Sequence, residues 1–317
     1  MRLKSKSIKI TLFAIWCFSL LTSVSVAAIS PEEKKKIENA IPEKAPAVPK
    51  QPRKLLVFNL DIWDGVVRKG HTSIPYGNLA LEMMGRKTKA YETVVSDDIA
   101  MFRPENLLQF DAICFNNTTG VLFQDPELKK SLLEFVSNGK GLVGIHAAGA
   151  TFVQWPKYDQ WPEFGEMLGG YENGGHPWKS NEWITLKLDD PGHPINAAFN
   201  DMGFRVSDEV FQFQKPYSRD KLRILLSIDM TKTEIISGRY ILPERLDHDF
   251  AISWVRSYGK GRVFYSTLGH NPHIFWNPLI LQHYLAGIQF ALGDLVADTT
   301  PSNKLTDEIR TKDKYNQ

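Results

Sequence analysis

Cysteine is nearly absent from this chain, with two among 317 residues, Cys17 and Cys114. A disulfide framework and a cysteine-based metal cluster are both excluded, because Cys17 falls in a segment expected to be removed. Neither charge dominates, since 38 Lys and Arg face 36 Asp and Glu. The sequence therefore offers no basic field for nucleic acid or an anionic membrane surface. No internal repeat or low-complexity tract interrupts residues 54–294. What is present is ordinary globular composition, 43% hydrophobic, 23% charged and 11% aromatic, enough for a sizeable buried core.

At the N-terminus, Arg2, Lys4, Lys6 and Lys9 precede an apolar stretch, Ile10 to Leu21, and small residues follow at Ser25-Val26-Ala27-Ala28. This is the pattern of a cleaved export signal over residues 1–28. The apolar run is shorter than the roughly 20 residues of a membrane span, which argues against a retained anchor. Cys17 follows Ile15-Trp16 and lacks the small residue expected just before a lipidated cysteine. Losing four of the 38 cations leaves 34 basic against 36 acidic residues, a nearly neutral mature chain with one cysteine. An exported protein of that kind suits a bacterial periplasm. Residues 29–53, interrupted by Pro31, Pro42, Pro46, Pro49 and Pro52, read as a tether. Residues 54–294 read as one α/β domain and 295–317 as a loose polar tail, with the oligomeric state left open.

Within the domain, short apolar runs alternate with helical patterns, as units of strand, crossover helix and parallel strand do. Strands are predicted at Lys54–Asn59, Lys89–Val95, Ala112–Asn116 and Leu142–His146, with a helix over Ile74–Met84. A second helix starts at Asp125-Pro126, a cap and a first-turn proline, and stops at Asn138-Gly139. The second half is strand-rich, with β-branched or aromatic runs at Trp183–Leu188, Glu209–Gln214, Ile224–Ile228, Ile252–Ser257 and Arg262–Thr267 before a closing helix, Pro278–Leu292.

The most informative stretch is Gly139-Lys140-Gly141-Leu142-Val143-Gly144-Ile145-His146-Ala147-Ala148-Gly149. A buried strand ends here in Gly-x-His-x-x-Gly. Ligands of α/β sheets bind outside the carboxyl ends of strands, and small flanking residues allow a tight, strained turn that presents the central side chain. His146 can equally be a core histidine bonded to a carbonyl. Gly144 and Ala147 would leave it unusually uncrowded, which favours the functional reading.

With Phe115-Asn116-Asn117, Asp208-Glu209-Val210, Ile252-Ser253-Trp254 running into Tyr258-Gly259-Lys260-Gly261-Arg262, and Leu268-Gly269-His270, this elbow resembles the ThuA-like family of trehalose-utilisation proteins, from about Lys54 to Gly293. The resemblance implies the flavodoxin-like fold of class I glutamine amidotransferases, a mostly parallel central sheet flanked by helices, and a role in sugar use. In those amidotransferases the elbow carries a nucleophilic cysteine. His146 stands there instead, and imidazole cannot replace a thiolate in forming the acyl intermediate, so glutamine hydrolysis is rejected.

Other polar groups lie near strand ends. His71 precedes the first helix and could face His146, and the resemblance supports a histidine there. His270 follows a strand with Gly269 beside it. Asp208 and Glu209 are expected to open a strand, so that only one of them faces the pocket. The expected catalytic set is His146, His270, Glu209 and His71. Asn116, Asn117, Asp208, His176 and Trp178 are candidates for binding substrate. Trp155, Tyr158, Trp161, Tyr171, Trp178 and Trp183 could form a stacking wall for a sugar ring or pack beneath loops. His71, His146 and His270 could also converge on a divalent metal such as zinc, although no compact ligand spacing marks such a site. His193, His248, His273 and His283 lack strand-end placement and are taken as structural. The partner expected is a small carbohydrate, handled by an enzyme or by a noncatalytic sugar-binding module.

Overall fold

Strands that carry apolar residues on both faces need cover on both sides, and the first half of the chain supplies it with helices. The computed structural model describes residues 29–154, 157–159, 161–172, 176–235, 241 and 243–306; the expected export signal and the end of the polar tail lie outside them. β1 (Lys54–Phe58), β2 (Glu92–Ser96), β3 (Ala112–Asn116) and β4 (Gly141–Ile145) pair in parallel in the order β2-β1-β3-β4. Alternate residues of each strand face opposite ways, so Leu55, Val57, Cys114 and Val143 enter one apolar cluster and Leu56, Phe58, Ile113 and Leu142 the other.

Five α-helices of seven or more residues among the described residues complete the frame: α1 (Pro31–Ala40), α2 (Ile74–Thr88), α3 (Pro126–Ser137), α4 (Pro162–Leu168) and α5 (Pro278–Leu292). Each has proline in its first turn, where the missing N–H sacrifices no helical bond. Side chains of α1, α2 and α5 join the first cluster and those of α3 and α4 the second. Among the described residues no helix is long and apolar enough to cross a membrane.

The second half adds β5 (Trp183–Leu188), β6 (Phe204–Ser207), β7 (Arg223–Ile228), β8 (Ala251–Tyr258) and β9 (Gly261–Ser266), giving one nine-stranded sheet ordered β6-β5-β7-β8-β9-β4-β3-β1-β2. β9 lies parallel to β4, and the four pairings beyond it are antiparallel. The sheet is thus mixed rather than mostly parallel. The tight turn at Gly259-Lys260 explains part of this, because it joins β8 directly to β9 with no crossover helix between them. The strand expected over Glu209–Gln214 is a second correction. β6 comes earlier, residues 208–212 leave the sheet, and only Phe213–Gln214 pairs, with Tyr171–Glu172.

Residues 29–53 are docked rather than free. Ser30 and Glu33 form a reciprocal capping box on α1, and Ile37, Ala40 and Ile41 are buried in the first cluster. The segment then runs along α5, exchanging two hydrogen bonds between Ala47 and Gln289 and pairing Arg53 with Asp294 at 2.6 Å. The described part of the tail is anchored by polar groups. Asp298 pairs with the fully buried Arg223 at 2.9 Å, opposite Asp190 at 2.6 Å, and Ser302 accepts a hydrogen bond from the Ile224 N–H.

His193 and His283 occupy the interior as neutral rings. His283 bonds the Ile195 carbonyl (3.0 Å) and Ser253 Oγ (2.8 Å), and burial depresses its pKa to about 3. Burial likewise depresses His193 to about 4. Below pH 6.5 the unfolded chain takes up protons that these folded rings refuse, so their contribution to stability is complete above that pH and declines as pH falls. Each histidine should steepen the decline by roughly 1.4 kcal/mol per pH unit. Urea denaturation between pH 7 and pH 5 should therefore show a shallower pH slope in His283→Gln, by about 1 kcal/mol per pH unit; an equal slope would contradict a neutral buried ring.

Candidate functional site

Three parallel strands, β1 and, across β3, the adjacent pair β4 and β9, send their carboxyl ends to the same edge of the sheet, and each leads to a histidine. In open α/β sheets this edge is where ligands bind. His71 follows β1 after a short excursion that pairs Asp61–Trp63 with Val66–Arg68 and with Thr119–Gly120. His146 comes directly after β4, and His270 lies four residues past β9. Their rings lie 5.0 to 5.1 Å apart, centroid to centroid, in edge-to-face pairs.

His146 takes a left-handed backbone conformation, φ +48°, which a non-glycine residue holds only when its surroundings impose it. Two bonds from β9 and the turn after it do so. Tyr265 Oη donates to the His146 carbonyl at 2.6 Å, and His146 Nδ1 donates to the Thr267 carbonyl at 2.6 Å. Because a carbonyl only accepts, the proton of the neutral ring sits on Nδ1 and the Nε2 lone pair points at the other histidines. The expectation of an uncrowded His146 is corrected. The residue is fully buried, stacks on Phe211 at 4.5 Å, and the room left by Gly144 is taken by Tyr265, whose Cδ2 would lie 2.7 Å from an added Cβ. The core and site readings of this histidine each describe one of its nitrogens.

His270 Nδ1 lies 3.2 Å from His146 Nε2 and 3.1 Å from Glu209 Oε2, and Glu209 Oε2 is 3.8 Å from His146 Nε2. Burial pulls the His270 pKa down, but the Glu209 bond and charge outweigh it and hold it above the usual histidine value. Burial raises Glu209, and its bond to His270 with the nearby imidazoles brings it below the usual range. Burial and then the neighbouring His270 keep His71 neutral, with a pKa of about 4. His146 falls well below the ordinary value for the same reasons, led by burial. His176 stands at the rim, its ring nitrogens each 3.8 Å from a carboxylate, Glu209 on one side and the buried Glu172 on the other. Nothing in the local sequence marks Glu172, Phe211 or Tyr265 for these positions.

The structure separates the adjacent carboxylates by role, not by strand alternation. Asp208 is fully buried and accepts from the backbone N–H groups of Gly269 (2.7 Å), His270 (3.3 Å) and Asn271 (2.8 Å), fixing the turn that carries His270. Burial raises its pKa to about 7 against those bonds. Gly269 sits at φ +133° there, and a Cβ would meet Ile145 at 2.8 Å. Glu209, one residue on, turns to the histidines.

The amides at the end of β3 are consumed by the scaffold. Asn117 donates to Asn116, Asn116 to Asn78 and to the Ile74 carbonyl, and Asn78 to Asn59, a relay tying β3 to α2. Asn117 Oδ1 alone is buried without a partner. Trp178 is buried, with its indole N–H spent on the Glu234 carbonyl, so it offers no face for stacking. Trp161 and Tyr171 are also buried, which is the packing alternative for them, Trp183 is exposed, and Trp155 lies outside the described residues. A cavity of about 320 Å³ opens beside His71, lined also by Lys69, Thr72, Tyr76, Asn78 and Pro272. His71, His146, His270 and Glu209 each offer one donor atom within 4.8 Å of the others, so the four could hold a metal ion.

A family model described as trehalose utilisation matches residues 59–291, and the chain belongs to this ThuA family. Solved structures of similar fold include a ThuA-like protein from Bacteroides uniformis, 20% identical, with a TM-score of 0.57 over 76% of this chain and 93% of that one. Another, from Parabacteroides merdae, is 16% identical, with a TM-score of 0.52 over 81% of this chain and all of that one. No curated protein sequence matches.

If Asp208 anchors the turn and Glu209 serves the site, replacing them has different costs. Asp208→Ala strands three buried N–H groups and should lower unfolding free energy by roughly 2–4 kcal/mol. Glu209→Ala should change it by less than about 1 kcal/mol. Chemical denaturation of the two variants checks the contrast, and equal losses would refute it.

Proposed function

We propose that this chain is an exported enzyme of carbohydrate utilisation, acting on a sugar or an oxidised sugar derivative at the histidine cluster. The observation that carries the reading is the position of His270 Nδ1, in contact with both Glu209 Oε2 and His146 Nε2 at a partly open edge of the sheet. An imidazole backed by a carboxylate can take a proton from a sugar hydroxyl and return it, which is worth about 10²- to 10⁴-fold in rate. His71 and His146, held neutral, supply lone pairs toward the same space. Membership of the ThuA family supports a carbohydrate-related role. Glutamine hydrolysis has no nucleophile here, because Cys114 is buried within β3 and burial pushes its thiol pKa up. Export is supported by the charged and apolar pattern of residues 1–28, and cleavage after Ala28 would leave the Ser30–Glu33 capping box intact.

The test is turnover of a panel of disaccharides and their keto derivatives by the mature protein, followed by chromatography of the products. Wild type should convert at least one, and His270→Gln and Glu209→Gln should lose roughly 100-fold or more while keeping the melting temperature. Saturable binding without turnover would replace the enzyme with a sugar-binding module, and neither binding nor turnover would overturn the carbohydrate reading. N-terminal sequencing of the protein expressed with its leader should begin near Ile29; a retained Met1 would refute export.

A further inference from the structure

The four side chains at the strand ends meet the requirements of a metal site more closely than those of a proton relay alone. Tetrahedral coordination at about 2.0–2.1 Å places ligand atoms roughly 3.3 Å apart. The triangle of His270 Nδ1, His146 Nε2 and Glu209 Oε2 has edges of 3.1, 3.2 and 3.8 Å. His71 brings the fourth donor within 4.8 Å of the rest, and its Nδ1 is buried without a hydrogen-bond partner. A relay of protonated rings would give that nitrogen an acceptor.

The surroundings are also those of a metal centre. Metal-bound histidines commonly donate their other nitrogen to a carbonyl or carboxylate, which fixes the ring and its tautomer. His146 does this through the 2.6 Å bond from Nδ1 to the Thr267 carbonyl. The His270 backbone is held by Asp208, and Phe211 closes the inner side by stacking on His146. The outer side stays open, with the His270 and Glu209 side chains 28% and 19% exposed. That leaves room for an oxygen ligand from water or substrate. Imidazole with one carboxylate suits zinc and its neighbours among the divalent transition ions and disfavours magnesium and calcium, which take oxygen ligands.

We propose that His71, His146, His270 and Glu209 together bind one divalent transition ion, with its open face toward the cavity beside His71. The inference rests on the enzymatic reading only for the nature of the incoming ligand, a pair of sugar oxygens. With the ion seated, His270 and Glu209 act as its ligands.

The experiment is titration of chelator-treated full-length mature protein with Zn²⁺, and separately with Co²⁺ read by its visible ligand-field absorption, in the absence of sugar. Wild type should bind one ion per chain and give the intense Co²⁺ spectrum of an imidazole-rich site. His71→Gln, His270→Gln and Glu209→Gln should each weaken Zn²⁺ binding by roughly 100-fold or more. Melting curves keep the variants comparable, and His71→Gln is the safest of them because the Nδ1 of His71 bonds nothing. The exposed His248 serves as control, and His248→Asn should bind as wild type does. Less than a tenth of an ion per chain, or binding unaltered in the three site variants, would overturn the metal site. Turnover by such a metal-free protein would still uphold the carbohydrate reading, whereas a tightly bound ion with no sugar bound or converted would uphold the metal site and sink that reading.

Discussion

Two hydrogen bonds between the ends of β4 and β9 govern the rest of this molecule's chemistry. Tyr265 to the His146 carbonyl and His146 Nδ1 to the Thr267 carbonyl, both 2.6 Å, hold a non-glycine residue at φ +48° where the strand would otherwise run on. Such a conformation costs on the order of 1–3 kcal/mol and persists only when its neighbours over-determine it. The return is orientation. One imidazole nitrogen is committed to the core, and the other is fixed without its proton toward the strand ends. Asp208 performs the equivalent service for His270 by gripping three consecutive backbone N–H groups. Site geometry therefore depends on buried polar contacts made at the backs of the histidines.

Much of this frame was legible in the sequence, for identifiable reasons. Short runs apolar on both faces gave β1, β3 and β4 nearly residue for residue, and the Asp125-Pro126 and Pro278 signals marked α3 and α5. The Gly-x-His-x-x-Gly elbow was legible because its glycines mark a close approach, made here by Tyr265 against Gly144 and Gly149. Residues 29–53 carry prolines that suggest a tether, yet the Ser30-x-x-Glu33 capping box and Ile37 encode a docked helix. The carboxylates were misplaced for a deeper reason. Alternation assigns faces only within a strand, and Asp208 leaves the sheet to satisfy N–H groups of a turn 61 to 63 residues later in the chain, a long-range demand that local periodicity does not contain.

The same distinction sorts the polar residues gathered at this edge. Asn116 looks, from its place at a strand end, as suited to a sugar hydroxyl as any histidine. Its amide hydrogens are taken by Asn78 and the Ile74 carbonyl, however, and its oxygen by Asn117. Trp178 is spent in the same way on packing and one carbonyl. A buried polar group whose bonds are complete has no capacity left for a ligand. Within the histidine cluster, His71 Nδ1 has no partner, and the lone pairs of His146 Nε2 and the Glu209 carboxylate face His270.

That cluster also carries an electrostatic constraint on what the elbow can have become. A thiolate nucleophile at a turn needs nearby positive charge to stabilise it. Here the turn is fully buried, its histidine is pressed against Phe211, and burial with neighbouring imidazoles disfavours a charge on it. Two neutral rings and a third ring paired with a carboxylate are costly to assemble unless something draws their lone pairs together, since close imidazoles that cannot all protonate leave acceptors facing acceptors. A cation removes that conflict, and so, more weakly, does a substrate hydroxyl proton shared among them. Both place positive charge at the centre of the cluster, the reverse of what a nucleophilic thiolate would bring there.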